Sequence, residues 1–219
     1  MKLALYSGGH DFENKDMDRN LLEVVGKKNP QVAFIPSSSY LSHVDFKEFV
    51  NQYRKYKLKR FIHFPIDVPF AEVLKREVFK SDIIHLSGGN TFYFIKHLRK
   101  AKLLKDFKEF VQNGGILTGL SAGAIIMTRS IHTASFPEFD RDQNEDQVKN
   151  FRGMGLVNFE FFPHYKNSLR YDKEILQYSM ITHNPVYACP DGSGIVISDS
   201  EKRMVGRCFC FFRGRKFIL

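Results

Sequence analysis

One serine stands between two glycines in Gly119-Leu120-Ser121-Ala122-Gly123. An apolar run, GILTGL over residues 115–120, leads in, and an apolar, helix-forming tail leads out. G-x-S-x-G at a strand-to-helix junction is the nucleophile-elbow pattern. The reason is steric. The turn is so tight that a Cβ at either flank would clash, so glycine stands at both, and the Ser121 side chain projects from the carboxyl edge of a sheet. The chemistry is nucleophilic attack, which needs a base and oxyanion donors. The backbone N–H of Ala122, at the helix start, is one such donor. The plainer use of the same residues is a helix N-cap serine after a glycine turn. The placement between a buried strand and a helix favours the nucleophile.

HLSGGNTF, residues 85–92, ends another buried strand. Its glycines leave backbone N–H groups free to approach a ligand. Gly89 is the natural second oxyanion donor and Gly88 the alternative, while Asn90 or Thr91 could cap the next helix. Of eight histidines, His164 is best placed for the base. It follows a buried strand in FFPHYKN, past a proline that ends pairing, on the edge where Ser121 should stand. His10, after the first strand, is the reserve, and His85 within a strand reads as core. An acid must orient the imidazole. Glu138, Asp140, Asp142, Glu145 and Asp146 crowd the loop after the elbow helix.

The elements that position these residues alternate. Strands are expected at 2–6, 31–36, 59–64, 82–87 and 115–120, and helices at 17–28, 42–56 (with Ser42 as N-cap), 69–80, 90–100 and 103–113. This rhythm predicts an α/β fold: a doubly wound, mostly parallel sheet flanked by helices. Ligands of such sheets gather at the carboxyl ends of the strands. Residues 129–150 form a long polar loop, and loops of that length are often functional. A strand at 156–162, a helix at 168–180 and a short strand at 185–190 follow. Residues 192–198, 203–212 and 216–219 predict a small antiparallel C-terminal meander, with turns at 199–202 and 213–215. The base follows the serine within one loop and one strand, and four strand–helix units precede the serine. That layout argues against the α/β-hydrolase fold.

The chain has 219 residues, 43% hydrophobic, which suits one domain over 1–219. No apolar run approaches the roughly 18 residues of a membrane span, and the short apolar N-terminus is no signal peptide. Cys189, Cys208 and Cys210 form no CxxC pair, which argues against a disulfide framework or zinc site and for a cytoplasmic protein. The formal charge of +9 reads as solvated helix faces. YRKYKLKR and RGRK could attract nucleic acid, but no recognised module accompanies them.

SGGNTF, GLSAGA, FFPHY and CPDGSGIVI, in this order and spacing, resemble the peptidase E (α-aspartyl dipeptidase) family of serine peptidases, to which cyanophycinases are related. The resemblance implies a class I glutamine amidotransferase-like fold with serine in place of the amidotransferase cysteine. It further implies cleavage of short peptides after an N-terminal aspartate, without a metal; no cofactor and no nucleic-acid or membrane partner are expected, and a monomer or homodimer is. On these motifs Ser121 matches the nucleophile, His164 the base, and Gly89 with Ala122 the oxyanion donors. Arg170 and Asn90 match substrate-binding positions, the arginine because its fork meets a carboxylate bidentately. The loop acid is Glu138, with Asp140 as alternative, because ungapped alignment puts Phe136 at the family's aspartate. A hydrolase on another acidic or β-aspartyl substrate, or a non-catalytic binding protein of the same fold, are the competing readings.

Overall fold

The computed structural model describes residues 1–199 and 201–219. Strands β1 (Lys2–Tyr6), β2 (Gln31–Ile35), β3 (Arg60–His63), β4 (Ile83–Leu86) and β5 (Ile116–Leu120) are parallel, in the order β3-β2-β4-β5-β1. They are short, apolar and mostly buried on both faces, as strands of a covered parallel sheet must be. Alternation sends Ala4, Tyr6, Val32 and Phe34 to one face, against helices α1 (Lys15–Val25) and α2 (Ser42–Arg54). It sends Leu3, Leu5, Ala33 and Ile35 to the other, against α3 (Glu72–Val78), α4 (Thr91–Lys100) and α5 (Leu103–Gln112). The elbow helix α6 (Ala122–Met127) lies on this second face and is wholly buried.

Local chemistry sets the helix ends. Asn90 Oδ1 accepts from Tyr93 N at 3.0 Å and caps α4. Ser42 does not cap α2. Leu41 takes that position with a left-handed φ of 54°, and the Ser42 hydroxyl, already inside the helix, donates to Ser39 O. The loop after α6 holds only a 3₁₀ turn, His132–Ser135. It is tied down by Arg99 of α4, which donates to the carbonyls of Asn150 and Arg152.

The expected meander takes a different form. Strands β8 (Gly194–Ser198) and β9 (Glu201–Val205) extend the large sheet to seven strands, with β8 antiparallel to β1. A second sheet, ordered β11-β10-β7-β6, is built from β6 (Glu160–Phe162), β7 (Val186–Ala188), β10 (Phe209–Phe212) and β11 (Arg215–Ile218). The expected strand over 203–212 is broken at Gly206, where φ is 73°, and its halves join different sheets. The expected turn at 199–202 includes Ser200, which lies outside the described residues. In the second sheet β6 and β7 pair parallel, and helix α7 (Leu169–Ile181) covers one face through Tyr171 and Ile175.

Candidate active site

Ser121 sits at the carboxyl end of β5 with φ 48° and ψ −109°, a strained setting for a residue with a Cβ. Its backbone is held on both sides: Ser121 N donates to Tyr6 O of β1, and Ser121 O accepts from Ile125 N of α6. A Cβ on Gly119 would fall 2.4 Å from the carbonyl carbon of Gly123, and one on Gly123 would fall 2.3 Å from Leu86 O. The two glycines therefore let α6 lie against β5 and β4, and that contact fixes the elbow. Ala122 begins the helix, so its N–H has no intrahelical acceptor.

The glycine turn after β4 faces the same space. A Cβ on Gly88 would stand 3.6 Å from Ser121 Cβ. Gly89 has φ 133°, and a Cβ there would strike Ser37 Oγ at 2.1 Å. Neither Gly88 nor Gly89 N–H has a hydrogen-bond acceptor among the described residues. Ser87 Oγ fixes the turn by accepting from Ser37 N and donating to Gly88 O. Asn90 is not free to meet a ligand: its Oδ1 caps α4 and its Nδ2 donates to Gln143 O.

His164 comes from the second sheet. Its Nε2 lies 2.8 Å from Ser121 Oγ and its Nδ1 lies 2.7 Å from Asp191 Oδ1. His164 adopts a left-handed φ of 54°. Its backbone N donates to Ser7 Oγ, which donates in turn to Cys189 O. Ser7, at the end of β1, thus ties the large sheet to both loops that carry the imidazole and the carboxylate. Gly8 makes room for them: a Cβ there would lie 2.2 Å from His164 Cε1 and 2.4 Å from Asp191 Oδ1. The hydrogen bond from His164 holds the Asp191 carboxyl below its ordinary range, against the opposing effect of partial burial.

The acid on the imidazole is therefore Asp191, and neither Glu138 nor Asp140. Glu138 pairs with Arg141 and is exposed. Asp140 accepts from the Tyr171 hydroxyl. Of the other loop acids, Asp146 pairs with Lys96, and Asp142 accepts from Thr91 N at the start of α4. A signal for Asp191 does exist in the sequence. FFPH and YACPD are both strands ended by a proline just before a polar residue. Parallel pairing of Phe162 with Ala188 brings those two ends side by side. Of the other histidines, His10 stacks on Phe12. His85 is buried against Thr118 Oγ1, and burial lowers its pKa to about 3.

Asp140 and Asp142 nevertheless reach the site. With Ser121, His164, Thr133 and Phe136 they line a cavity of about 70 Å³. Burial pushes the Asp142 carboxyl up, while its hydrogen bond from Thr91 and the nearby His164 oppose that. Thr133 Oγ1 is buried there without a partner among the described residues. Arg170, in the first turn of α7, stacks 3.5 Å over the Phe139 ring and has no ion pair among the described residues. Its neighbour Tyr171 holds Asp140.

Comparison with known proteins identifies the family. The sequence profile of peptidase family S51 matches residues 3–205. A Peptidase E from Pasteurella multocida is 27% identical over 94% of this chain and 90% of its own. A Peptidase E from Nostoc sp. is 27% identical over 83% of this chain and 75% of its own. A Drosophila melanogaster protein named "Probable alpha-aspartyl dipeptidase" is 28% identical over 58% of this chain and 54% of its own. In fold, the chain superposes on a candidate Peptidase E protein from Listeria monocytogenes EGD-e with TM-score 0.72, at 24% identity, over 93% of this chain and 97% of the other. It superposes on a peptidase from an acI-B1 Actinobacterium with TM-score 0.68, at 18% identity, over all of this chain and 93% of the other. The profile match spans nearly the whole chain, which therefore belongs to peptidase family S51 and is a serine-type peptidase.

Proposed function

We propose that the peptidase releases the N-terminal residue of short peptides through an acyl-enzyme on Ser121, and that this residue is aspartate. The observation that carries the reading is the unbroken hydrogen-bond chain Ser121–His164–Asp191. His164 Nε2 takes the hydroxyl proton as Ser121 Oγ attacks the carbonyl carbon. Asp191 holds the ring by accepting from Nδ1 and offsets the imidazolium charge. The N–H groups of Ala122 and Gly89, or Gly88, receive the oxyanion. Collapse of the tetrahedral intermediate breaks the C–N bond, and His164 gives its proton to the leaving amine. A water, deprotonated by the same imidazole, then attacks the ester, and His164 returns that proton to Ser121 Oγ as the C–O bond breaks.

The surroundings support the choice of substrate. The carboxylates of Asp140 and Asp142 beside the nucleophile suit a free α-ammonium group, and the small cavity limits what lies N-terminal to the scissile bond. The unpaired Arg170 suits an acidic side chain. The name of the Drosophila relative points the same way.

Chromogenic aminoacyl and β-aspartyl amides, assayed with wild type and Ser121→Ala in the presence of a chelator, test this. Aspartyl amide should be cleaved best, with loss of at least about 10⁴-fold in the variant. Preferential cleavage of another amide would keep the mechanism and replace the aspartate. Absence of any cleavage, with Ser121 left unlabelled by a serine-reactive phosphonate, would reject the reading.

A further inference from the structure

A cavity of about 760 Å³ borders the elbow and shares no lining residue with the small one. It falls within the size range of small-molecule sites. Gly88 and Leu120, which flank Ser121, line it, as do His10 and Gly9, where an added Cβ would lie 3.3 Å from Asp191 Cβ. In the acyl-enzyme reading, the amine expelled from the tetrahedral intermediate takes its proton from His164, next to this edge.

Its walls are aromatic. Phe34 stacks on His85 with centroids 5.7 Å apart, and Phe49 packs on both His85 and Tyr53. Its mouth is acidic: Asp11, Asp45 and Glu48 line it, whereas none of the chain's 33 lysines and arginines does. Lys55 pairs with Asp11, but Asp45 and Glu48 have no ion pair among the described residues. In a protein of charge +9, this cavity beside the elbow thus has the opposite sign. Carboxylates at the mouth of a low-dielectric cleft focus their field into it, and aromatic faces hold cations. His85 adds no opposing charge, since burial keeps it neutral.

A second feature is the anchoring of the turn at the cavity's edge. Asn14 lines the same cavity and is only 4% exposed. Its Nδ2 donates to the carbonyls of Gly9 and His10, while its Oδ1 accepts nothing among the described residues. Behind the floor, Tyr6, Tyr53 and Gln52 all donate to the buried Asp18 carboxylate, so these walls are held in place.

We propose that this cavity is the subsite for the residue released from the C-terminal side of the scissile bond, and that it selects a lysine or arginine there. The aliphatic stem of such a side chain lies on the aromatic walls and its charged end faces Asp45 and Glu48. This rests on the acyl-enzyme reading above.

Two measurements test it. With the best acyl residue from the amide panel held fixed, dipeptides ending in Arg, Lys, Leu and Glu are compared. The basic pair should exceed both others in kcat/KM by at least about tenfold. The Asp45→Asn/Glu48→Gln double variant should reduce that ratio to near one. A ratio near one in wild type, or one unchanged in the double variant, overturns the proposal. Independently of any catalysis, argininamide and leucinamide are titrated into Ser121→Ala by calorimetry. Binding of argininamide that is salt-sensitive, stronger than that of leucinamide and weakened when Asp45→Asn and Glu48→Gln are added to Ser121→Ala supports the subsite even where no peptide is cleaved. Equal binding, or none at millimolar concentration, overturns it and leaves the acyl-enzyme reading untouched.

Discussion

The nucleophile and its base are positioned by different means. On the larger sheet, Ser121 is held by contact: backbone packs on backbone at Gly119 and Gly123 with no room for a methyl group. On the smaller sheet, His164 and Asp191 stand at loop ends, nearly half exposed, and are held by hydrogen bonds through Ser7. Shape sets one half of the site and polarity the other. Damage to the first half must deform the fold, whereas damage to the second releases a ring.

The comparison breaks most severely at the carboxylate. Asp191→Asn should lower kcat/KM by about 10³- to 10⁴-fold, as loss of the orienting acid does elsewhere. Glu138→Gln, on an exposed loop side chain, should stay within about twofold of wild type. The reverse ranking in a steady-state assay would return the role to the loop. Next comes Gly8→Ala. Its methyl group overlaps the imidazole, so kcat should fall about 10²-fold, the scale of a 1 Å misplacement, while the melting temperature barely moves. A variant that unfolds instead would show that contact also governs this half.

Ser7→Ala removes the shared tether. At about 1 kcal/mol for each lost hydrogen bond, kcat should drop roughly tenfold with KM little changed. A rise in KM alone would mean that the tether serves binding instead. The smallest effect is on stability. Burial raises the Asp142 carboxyl above its unfolded value of about 3.9. A carboxyl so raised contributes stability that is complete below the unfolded pKa and is lost as pH rises through the folded value. Asp142→Asn should therefore gain on wild type as pH rises from about 4 to 7, by on the order of 1 kcal/mol, while losing activity if this carboxylate holds the substrate amine. Melting curves across that range check the sign, and a variant that loses stability relative to wild type as pH rises would contradict it.

Much of the larger sheet was legible because its determinants are local. Each parallel strand is a short apolar run closed by glycine, proline or a capping residue, and each helix shows its own stripe. The elbow was legible for the same reason, since clash at Gly119 and Gly123 is written in five consecutive residues. The approach of His164 to Ser121 followed from a strand end. The carboxylate did not, because Asp191 meets His164 only through the pairing of β6 with β7, across a helix. No local pattern states which strands pair. The same blindness merged β9 with β10, whose apolar residues read alike although they serve different sheets. Asn90 illustrates a smaller error: a side chain that can cap or bind has only one set of hydrogen bonds, and the helix end takes it.

The chain passes from the larger sheet to the smaller, back through β8 and β9, and out again to β10, which pairs with β7 beside Asp191. Such long-range pairing forms late in folding. During synthesis the elbow, at residue 121, emerges early, but the strand that braces the acid's neighbour begins only at Phe209. A nascent chain therefore carries its nucleophile for some ninety residues, at about 5–20 residues per second, before the sheet that carries its base is complete. The nucleophile is thus synthesised well before the sheet that holds its base and acid is complete.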